Sequence, residues 1–246
     1  MTAAMRLGKV KWLGCAAHTL QLVIQDGVLK SRNIRELSHK CRKIVANFKR
    51  SEQACRYRKT FQDTVGLPNH TLIQDADCRW NITYLMLNRL YEQKAAINLY
   101  IAERGSVECL TAKEWKSVCY VVAVLKPFDQ ATLDLPYDST CASVIIPLIA
   151  MLQIKLERND DDGAEISMLK DGLTASLLRR FAFIKTNPEL HVSTILDPRF
   201  KNKYYSTEEI KRCETILKDQ LGLFNDDTAV QIQTVPPIND SRNAPN

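Results

Sequence analysis

The chain of 246 residues has no run of about 18 uninterrupted apolar residues, because Lys, Asp or Pro cuts its longest apolar stretches. The apolar segment of a secretory signal is missing near the N-terminus. The eight cysteines include no Cys-x-x-Cys pair, and there is no glycine-rich phosphate-binding loop. These absences exclude membrane-spanning and secreted disulfide-framework proteins and predict a reduced, intracellular one.

Charge is distributed unevenly along the chain. The first 60 residues contain fourteen Lys or Arg against three Asp or Glu, a balance of +11. The whole chain carries +6, so the remainder must carry the difference, −5. A basic N-terminal quarter predicts one surface that faces a polyanion, which charge alone leaves open between DNA, RNA and an acidic protein.

The apolar spacing predicts a mainly α-helical protein. One short strand is predicted over Lys11–Ala17, and the clearest helix over 34–59, where an apolar stripe repeats at the 3.6-residue period. Thr111 and Glu114 predict a capping box, and Pro127 predicts the end of the helix that follows it. Further helices are predicted at about 82–103, 141–157 and 166–181, and from Thr207 onward.

Four cations recur every seven residues in the predicted helix over 34–59: Arg35, Arg42, Lys49 and Arg56. Seven residues are nearly two helical turns, so these side chains form a slowly drifting row. The row is either a solvated helix face or a line of contacts to nucleic-acid phosphates.

Arg79 and Trp80 stand together just before a predicted helix. They offer a cation beside a flat ring, and stacking one base on an aromatic ring contributes about 1–3 kcal/mol in single-strand complexes. The alternative is a Trp packed in the core, with Arg79 paired to a nearby carboxylate.

The candidate metal-binding residues are supported by weaker sequence patterns than the candidate nucleic-acid-binding residues. Cys15 and His18 have a zinc-like spacing, but no second ligand pair accompanies them, which favours a buried structural pair. Two-metal phosphoryl chemistry needs clustered carboxylates, and Asp75 and Asp77 share a face of an extended segment. The alternative for such loop carboxylates is capping and solvation. The remaining candidates are Asp26, Asp129, Asp134 and Asp197.

Four blocks in one order resemble the hAT superfamily of cut-and-paste transposases, and most closely its domesticated relatives with BED-type zinc fingers. They are Leu13-Gly-Cys-Ala-Ala-His-Thr-Leu-Gln-Leu22, Asp77-Cys-Arg-Trp-Asn-Ile-Thr-Tyr84 with the residues to Arg89, Leu110–Thr132, and Ser193-Thr-Ile-Leu-Asp-Pro-Arg-Phe-Lys201. Together they span about residues 10–205 of the chain.

The resemblance implies an RNase H-like catalytic domain interrupted by an all-helical insertion. Residues 1–30 would be a partial RNase H-like segment, 31–224 the mostly helical region with the insertion, and 225–246 a disordered tail. In the family, three acids bind divalent metals. None of the aspartates here matches them, because they are expected upstream and downstream of these residues, as are the BED finger and the dimerisation segment.

The resemblance also implies roles for individual residues. Trp80 would stack on a flipped base with Arg79 beside it, and Cys15 and His18 would help shape the neighbourhood of the active site. We therefore predict a nuclear, non-catalytic, transposase-derived protein without a cofactor of its own. It would bind DNA or partner proteins, as a transcription regulator does. The alternatives are a fragment of an active transposase with metal-dependent strand cleavage and a fragment that folds poorly alone.

Overall fold

The computed structural model describes residues 15–75, 79–105, 108–134 and 141–225, and this part of the chain is helical without strands. Its α-helices are α1 (Ala16–Ile24), α2 (Arg32–Arg50), α3 (Glu52–Thr64), α4 (Trp80–Glu92), α5 (Lys94–Arg104), α6 (Ala112–Asp134), α7 (Ile145–Leu156), α8 (Ala164–Arg180), α9 (Pro188–Leu196) and α10 (Thr207–Asn225). The predicted mainly α class is confirmed. Within the described ranges, no helix is both long and apolar enough to cross a membrane.

The described residues do not show the RNase H-like remnant that the sequence predicts for residues 1–30. Most of the predicted strand lies outside the described residues, and its last two residues, Ala16 and Ala17, lie in α1. The predicted disordered tail beyond α10 also lies outside them. The chain divides into two compact units between Tyr204 and Tyr205. The three-part division expected from the sequence stays a prediction.

Helix α6 is the centre of the first unit, where it packs against α1, α4, α7 and α8. The predicted capping box starts it, because the Thr111 amide donates to the Glu114 carboxylate at 2.8 Å and the Glu114 amide donates to the Thr111 hydroxyl at 3.2 Å. The expected end at Pro127 is wrong, since the helix continues to Asp134. Phe128 and Ala131 are buried beyond the proline, and their packing keeps this stretch helical despite the lost backbone hydrogen bond.

Two long predicted helices are each divided by a short break. The helix expected over 34–59 ends at Arg50, and Ser51 is extended and caps α3 by accepting from the Ala54 amide at 3.1 Å. The helix expected over 82–103 is interrupted at Gln93, between α4 and α5. The fully buried Gln93 side chain donates to the carbonyl of Pro68 at 3.2 Å, and this anchors the break to the preceding loop.

Two glycines allow the chain to cross itself at van der Waals distance. After α1 the helix widens into a π-turn over Gln25–Leu29, which packs against α8. A Cβ atom on Gly27 would lie 2.9 Å from the carbonyl oxygen of Gly172 and 3.0 Å from the Cα of Leu173. A Cβ atom on Gly172 would lie even closer to the carbonyl oxygen of Gly27. Both positions therefore require glycine because of the neighbouring backbone.

A cluster of ion pairs stabilises the same crossing between the π-turn and α8. Lys30 donates to Asp26 Oδ1 at 2.8 Å, while Arg179 at 2.9 Å and Arg180 Nε at 3.0 Å donate to Oδ2 from α8. These cations, Lys30 first, hold the pKa of the Asp26 carboxyl well below its usual range. A lowered folded-state pKa stabilises the fold above the ordinary Asp pKa, and acidification removes that contribution. Asp26 therefore binds basic side chains that join the π-turn to α8, which is a structural role and not that of a metal ligand.

Candidate nucleic-acid interface

Helix α2 has one buried side and one charged side. Its buried residues follow the stripe that the sequence predicts: Ile34, Leu37, Cys41, Ile44, Val45 and Phe48, together with Ser38. Burial of these apolar residues fixes how the helix is rotated, because apolar side chains at the 3.6-residue period all face the core. The opposite side of α2 must therefore face solvent.

On the solvent side Arg32 pairs with Glu36 at 2.8 Å. Four further cationic or ionisable residues lie there, and we call them the α2 stripe: Arg35, His39, Lys43 and Arg50. Their spacing of 4, 4 and 7 residues places them on one side of the helix, and all four are exposed. Within the described ranges, none of the four forms an ion pair. His39, Lys43 and Arg50 do not belong to the seven-residue row, and their spacing of 4 and 7 residues from Arg35 is the sequence signal for them.

Arg42, a member of the predicted row, faces another helix. Its Nε and Nη2 atoms both lie 2.8 Å from Oδ2 of Asp75, whose side chain is fully buried. The hydroxyl of Thr83 in α4 donates to the same oxygen at 3.0 Å. Arg42 therefore joins α2 to α4 through a buried carboxylate, which is a structural arrangement.

The other members of the row separate as well. Lys49 is exposed at the end of α2, to one side of the stripe. Arg56 lies in α3, beyond the break at Ser51, and its Nη2 pairs with Glu52 at 2.6 Å. The predicted continuous row of four is thus wrong as a geometry, because the backbone turns at Ser51 and because Arg42 points to Asp75.

Neutralising Arg42 and neutralising Lys43 are expected to have different effects on folding. Arg42→Gln leaves the buried Asp75 without its cation and should lower the free energy of unfolding by about 2–3 kcal/mol. Lys43→Gln removes an exposed, unpaired charge and should change it by less than about 0.5 kcal/mol. Urea unfolding measures both, and equal losses would contradict this assignment.

Arg79 and Trp80 occupy the beginning of α4. Arg79 is exposed in the N-cap position, with no side-chain capping hydrogen bond. Trp80 is 2% exposed, and its ring lies 6.2 Å from that of Tyr84 in the core. In this conformation Trp80 is a packing residue, the alternative kept open above, and only Arg79 is available on the surface.

Cys15 and His18 are both exposed at the start of α1. The expectation of a buried structural pair is therefore wrong. Cys15 precedes the first helical residue in extended conformation, and His18 is on the solvent side of the first turn. Their expected place beside an active site stays a prediction.

The candidate carboxylates do not fit a shared divalent-metal site in the part of the chain that the structure describes. Asp26, Asp75 and Asp197 lie in different elements, and each already binds cationic or hydroxyl partners. Burial raises the pKa of Asp129, which disfavours the charged form that a metal requires. No group of three His, Cys, Asp or Glu among these residues could hold a metal ion. Asp77 and the Asp134 side chain lie outside the described residues.

The fourth family-like block ends α9 with a polar cluster. Asp197 accepts from the Ser143 hydroxyl at 2.6 Å and from the Arg199 guanidinium at 2.7 Å, and these contacts join the end of α9 to the start of α7. Arg199 and Ser143 hold the pKa of Asp197 below its usual range. Cys141 lies beside them, and the Ser143 hydroxyl and Arg199 lower the pKa of its thiol. The Asp-Pro-Arg string is thus a connector between two helices.

Comparison with known proteins identifies the relatives of this architecture. Residues 13–124 match the family described as ZBED1 RNase-like helical domain. The chain is 29% identical to human zinc finger BED domain-containing protein 4 over 86% of its length, and 30% identical to human zinc finger BED domain-containing protein 6 over 81%. It is 30% identical over 58% of its length to the putative transcriptional regulator tpeD of Talaromyces stipitatus.

The chain spans 18% and 21% of the two human proteins and 16% of the fungal one. The family match covers α1 to α5 and the first half of α6, and therefore includes the α2 stripe. These similarities agree with the four blocks from which the family was predicted, and that recognition is confirmed. The chain is therefore a relative of the BED-type zinc-finger proteins, with an RNase-like helical domain matched over residues 13–124.

Proposed function

We propose that this chain is a non-catalytic, transposase-derived module that binds the backbone of duplex DNA through the α2 stripe, as part of a nuclear transcription regulator. The observation that carries the proposal is the placement of Arg35, His39, Lys43 and Arg50 opposite the core. A set of exposed basic residues without carboxylate partners is the electrostatic footprint of a polyanion-binding surface. The names of the relatives, zinc finger BED proteins and a putative transcriptional regulator, support the regulatory setting.

The dimensions of the stripe suit a phosphate backbone. Arg35 and Arg50 are 15 residues apart, which is about 22 Å along a helix. Duplex DNA presents one phosphate charge per about 1.7 Å of its axis, so all members of the stripe can face phosphates together. Lys49 and Arg79 are exposed cations that would add to the attraction. Contacts of this kind position a protein on DNA without reading its sequence.

A catalytic role has less support. The candidate acids that the structure describes bind Lys, Arg, Ser or Thr side chains or are buried, so they do not converge on one point. We therefore expect no metal-dependent nicking of DNA by this chain. Sequence readout in the whole protein would fall to other segments.

The salt dependence of DNA affinity tests the proposal. Three Lys or Arg side chains of the stripe that neutralise three phosphates give a slope of about −2.7 for log affinity against log salt. Fluorescence anisotropy with a labelled 20-base-pair duplex at several salt concentrations measures that slope. Binding that is absent at low salt, or independent of salt, would refute a backbone-binding function.

A further inference from the structure

A cavity of about 360 Å³ lies where α2 ends and α3 begins. Phe48 and Leu72 form apolar parts of its wall, and Lys49, Arg50 and Arg58 form cationic parts. The volume is many times the roughly 30 Å³ that one water molecule occupies in the liquid. The cavity is therefore large enough for a small organic ligand.

Arg58 is an unusual residue for such a wall because it is 2% exposed. Its Nη1 atom donates to the carbonyl oxygen of His70 at 2.7 Å, and Nη2 is 3.9 Å from Sγ of Cys55. Its Nε atom has no hydrogen-bond partner, and no carboxylate of the described residues pairs with the guanidinium. A buried cation without a counter-charge is costly, which favours an anion beside it.

The N-terminus of α3 provides a second attraction for an anion at the same place. The backbone amides of Glu52 and Gln53 have no acceptor within the helix, because they belong to its first turn. The hydroxyl of Ser51 accepts from the Ala54 amide, so it does not cap the amides of Glu52 and Gln53. Helix α3 is 13 residues long, so its positive end contributes as well.

One acidic residue lines the cavity and opposes this attraction. The Glu52 side chain is 80% exposed, and its carboxylate pairs with Arg56 Nη2 at 2.6 Å. Arg56 thus offsets the only negative charge among the residues that line the cavity. Lys49 and Arg50 are exposed at the rim without an ion pair among the described residues, so the cavity keeps a net positive charge.

We propose that this cavity is a binding site for the phosphate group of a nucleotide, either free or within a nucleic-acid strand. The Arg58 guanidinium and the first amides of α3 would hold the phosphate, with Lys49 and Arg50 at the entrance. Phe48 and Leu72 would contact the organic part that the phosphate carries. This inference does not depend on DNA binding by the α2 stripe.

Thermal unfolding in phosphate or chloride at equal ionic strength tests the site. Inorganic phosphate should raise the Tm of the wild-type chain by about 2–4 °C, with saturation. AMP should reach half-saturation at a lower concentration than inorganic phosphate. Equal half-saturation concentrations would overturn the nucleotide part of the proposal. A Tm that is the same in phosphate and in chloride would overturn the site.

Variants separate the site from a general salt effect. Arg58→Met should abolish the phosphate response while keeping or raising the Tm in chloride, since an unpaired buried cation is removed. Should this variant fail to fold, Lys49→Gln should raise the half-saturation concentration several-fold, and Glu52→Gln should lower it several-fold. An unchanged phosphate response in Lys49→Gln and Glu52→Gln would overturn the proposal.

Two DNA measurements identify the source of the phosphate. If the phosphate belongs to a strand, Arg58→Met weakens duplex binding several-fold and AMP competes with the duplex. If the ligand is a free nucleotide, duplex affinity is unchanged by Arg58→Met, although the response to AMP is lost. Neutral variants of Arg35 and Lys43 should retain the AMP response, so a failure of the proposed function stays distinguishable from a failure of this site.

Discussion

Gly172→Ala is expected to be among the most destabilising single substitutions in this chain. In an ordinary helix interior, replacing glycine by alanine stabilises by about 1 kcal/mol. Here the new Cβ would overlap the carbonyl oxygen of Gly27, which is backbone and cannot rotate away. Separating the π-turn from α8 would also strain the contacts of Asp26, so we expect a net loss of about 3 kcal/mol in the free energy of unfolding.

Gly163→Ala is the matched control, because Gly163 caps the same helix and no atom lies within 4 Å of the position of its Cβ. Alanine is a poorer cap than glycine, so a loss below about 1 kcal/mol is expected. Urea unfolding compares the two variants with the wild-type chain. Similar stabilities for Gly172→Ala and Gly163→Ala would show that the helices do not cross this closely.

The largest expected effect on function comes from neutralising two residues of the α2 stripe. The double variant Arg35→Gln, Lys43→Gln should bind a 20-base-pair duplex about tenfold more weakly at 0.1 M salt, where the Debye length is about 10 Å. Its salt slope should be shallower by about 1.8, because two phosphates are no longer neutralised. Its stability should be unchanged, since neither side chain is paired or buried.

The double variant Lys126→Gln, Lys155→Gln changes the net charge by the same amount. Lys126 is exposed in α6 and Lys155 in the last turn of α7, and neither forms an ion pair among the described residues. It should keep the wild-type salt slope and most of the affinity. Equal losses in the two double variants would mean that overall charge, rather than the α2 stripe, determines binding.

Features set by neighbours along the chain could be predicted from the sequence. The buried side of α2 follows from apolar spacing alone, and the Thr111–Glu114 capping box follows from two residues three positions apart. The side that α2 exposes was predictable in principle from the same periodicity. Each seven-residue step drifts by about 20° toward the buried side of α2, whereas the steps of 4 centre the α2 stripe opposite the buried residues.

Features that depend on distant residues could not be predicted in this way. Arg42 looks like a surface cation until Asp75, 33 residues away, is placed against it. Gly27 and Gly172 look like helix breakers, although they form a close crossing between elements 145 positions apart. Pro127 ends a helix by local chemistry, yet burial of Phe128 in the core keeps α6 continuous.

Lysine footprinting with and without DNA tests most directly whether the α2 stripe is the DNA-binding surface. Acetylation of exposed lysines is followed by mass spectrometry at increasing concentrations of duplex. Lys43 should react readily in the free protein and become protected as DNA saturates it, while Lys155 keeps its reactivity. Lys43 that remains as reactive as Lys155 at saturating DNA would contradict the proposed interface.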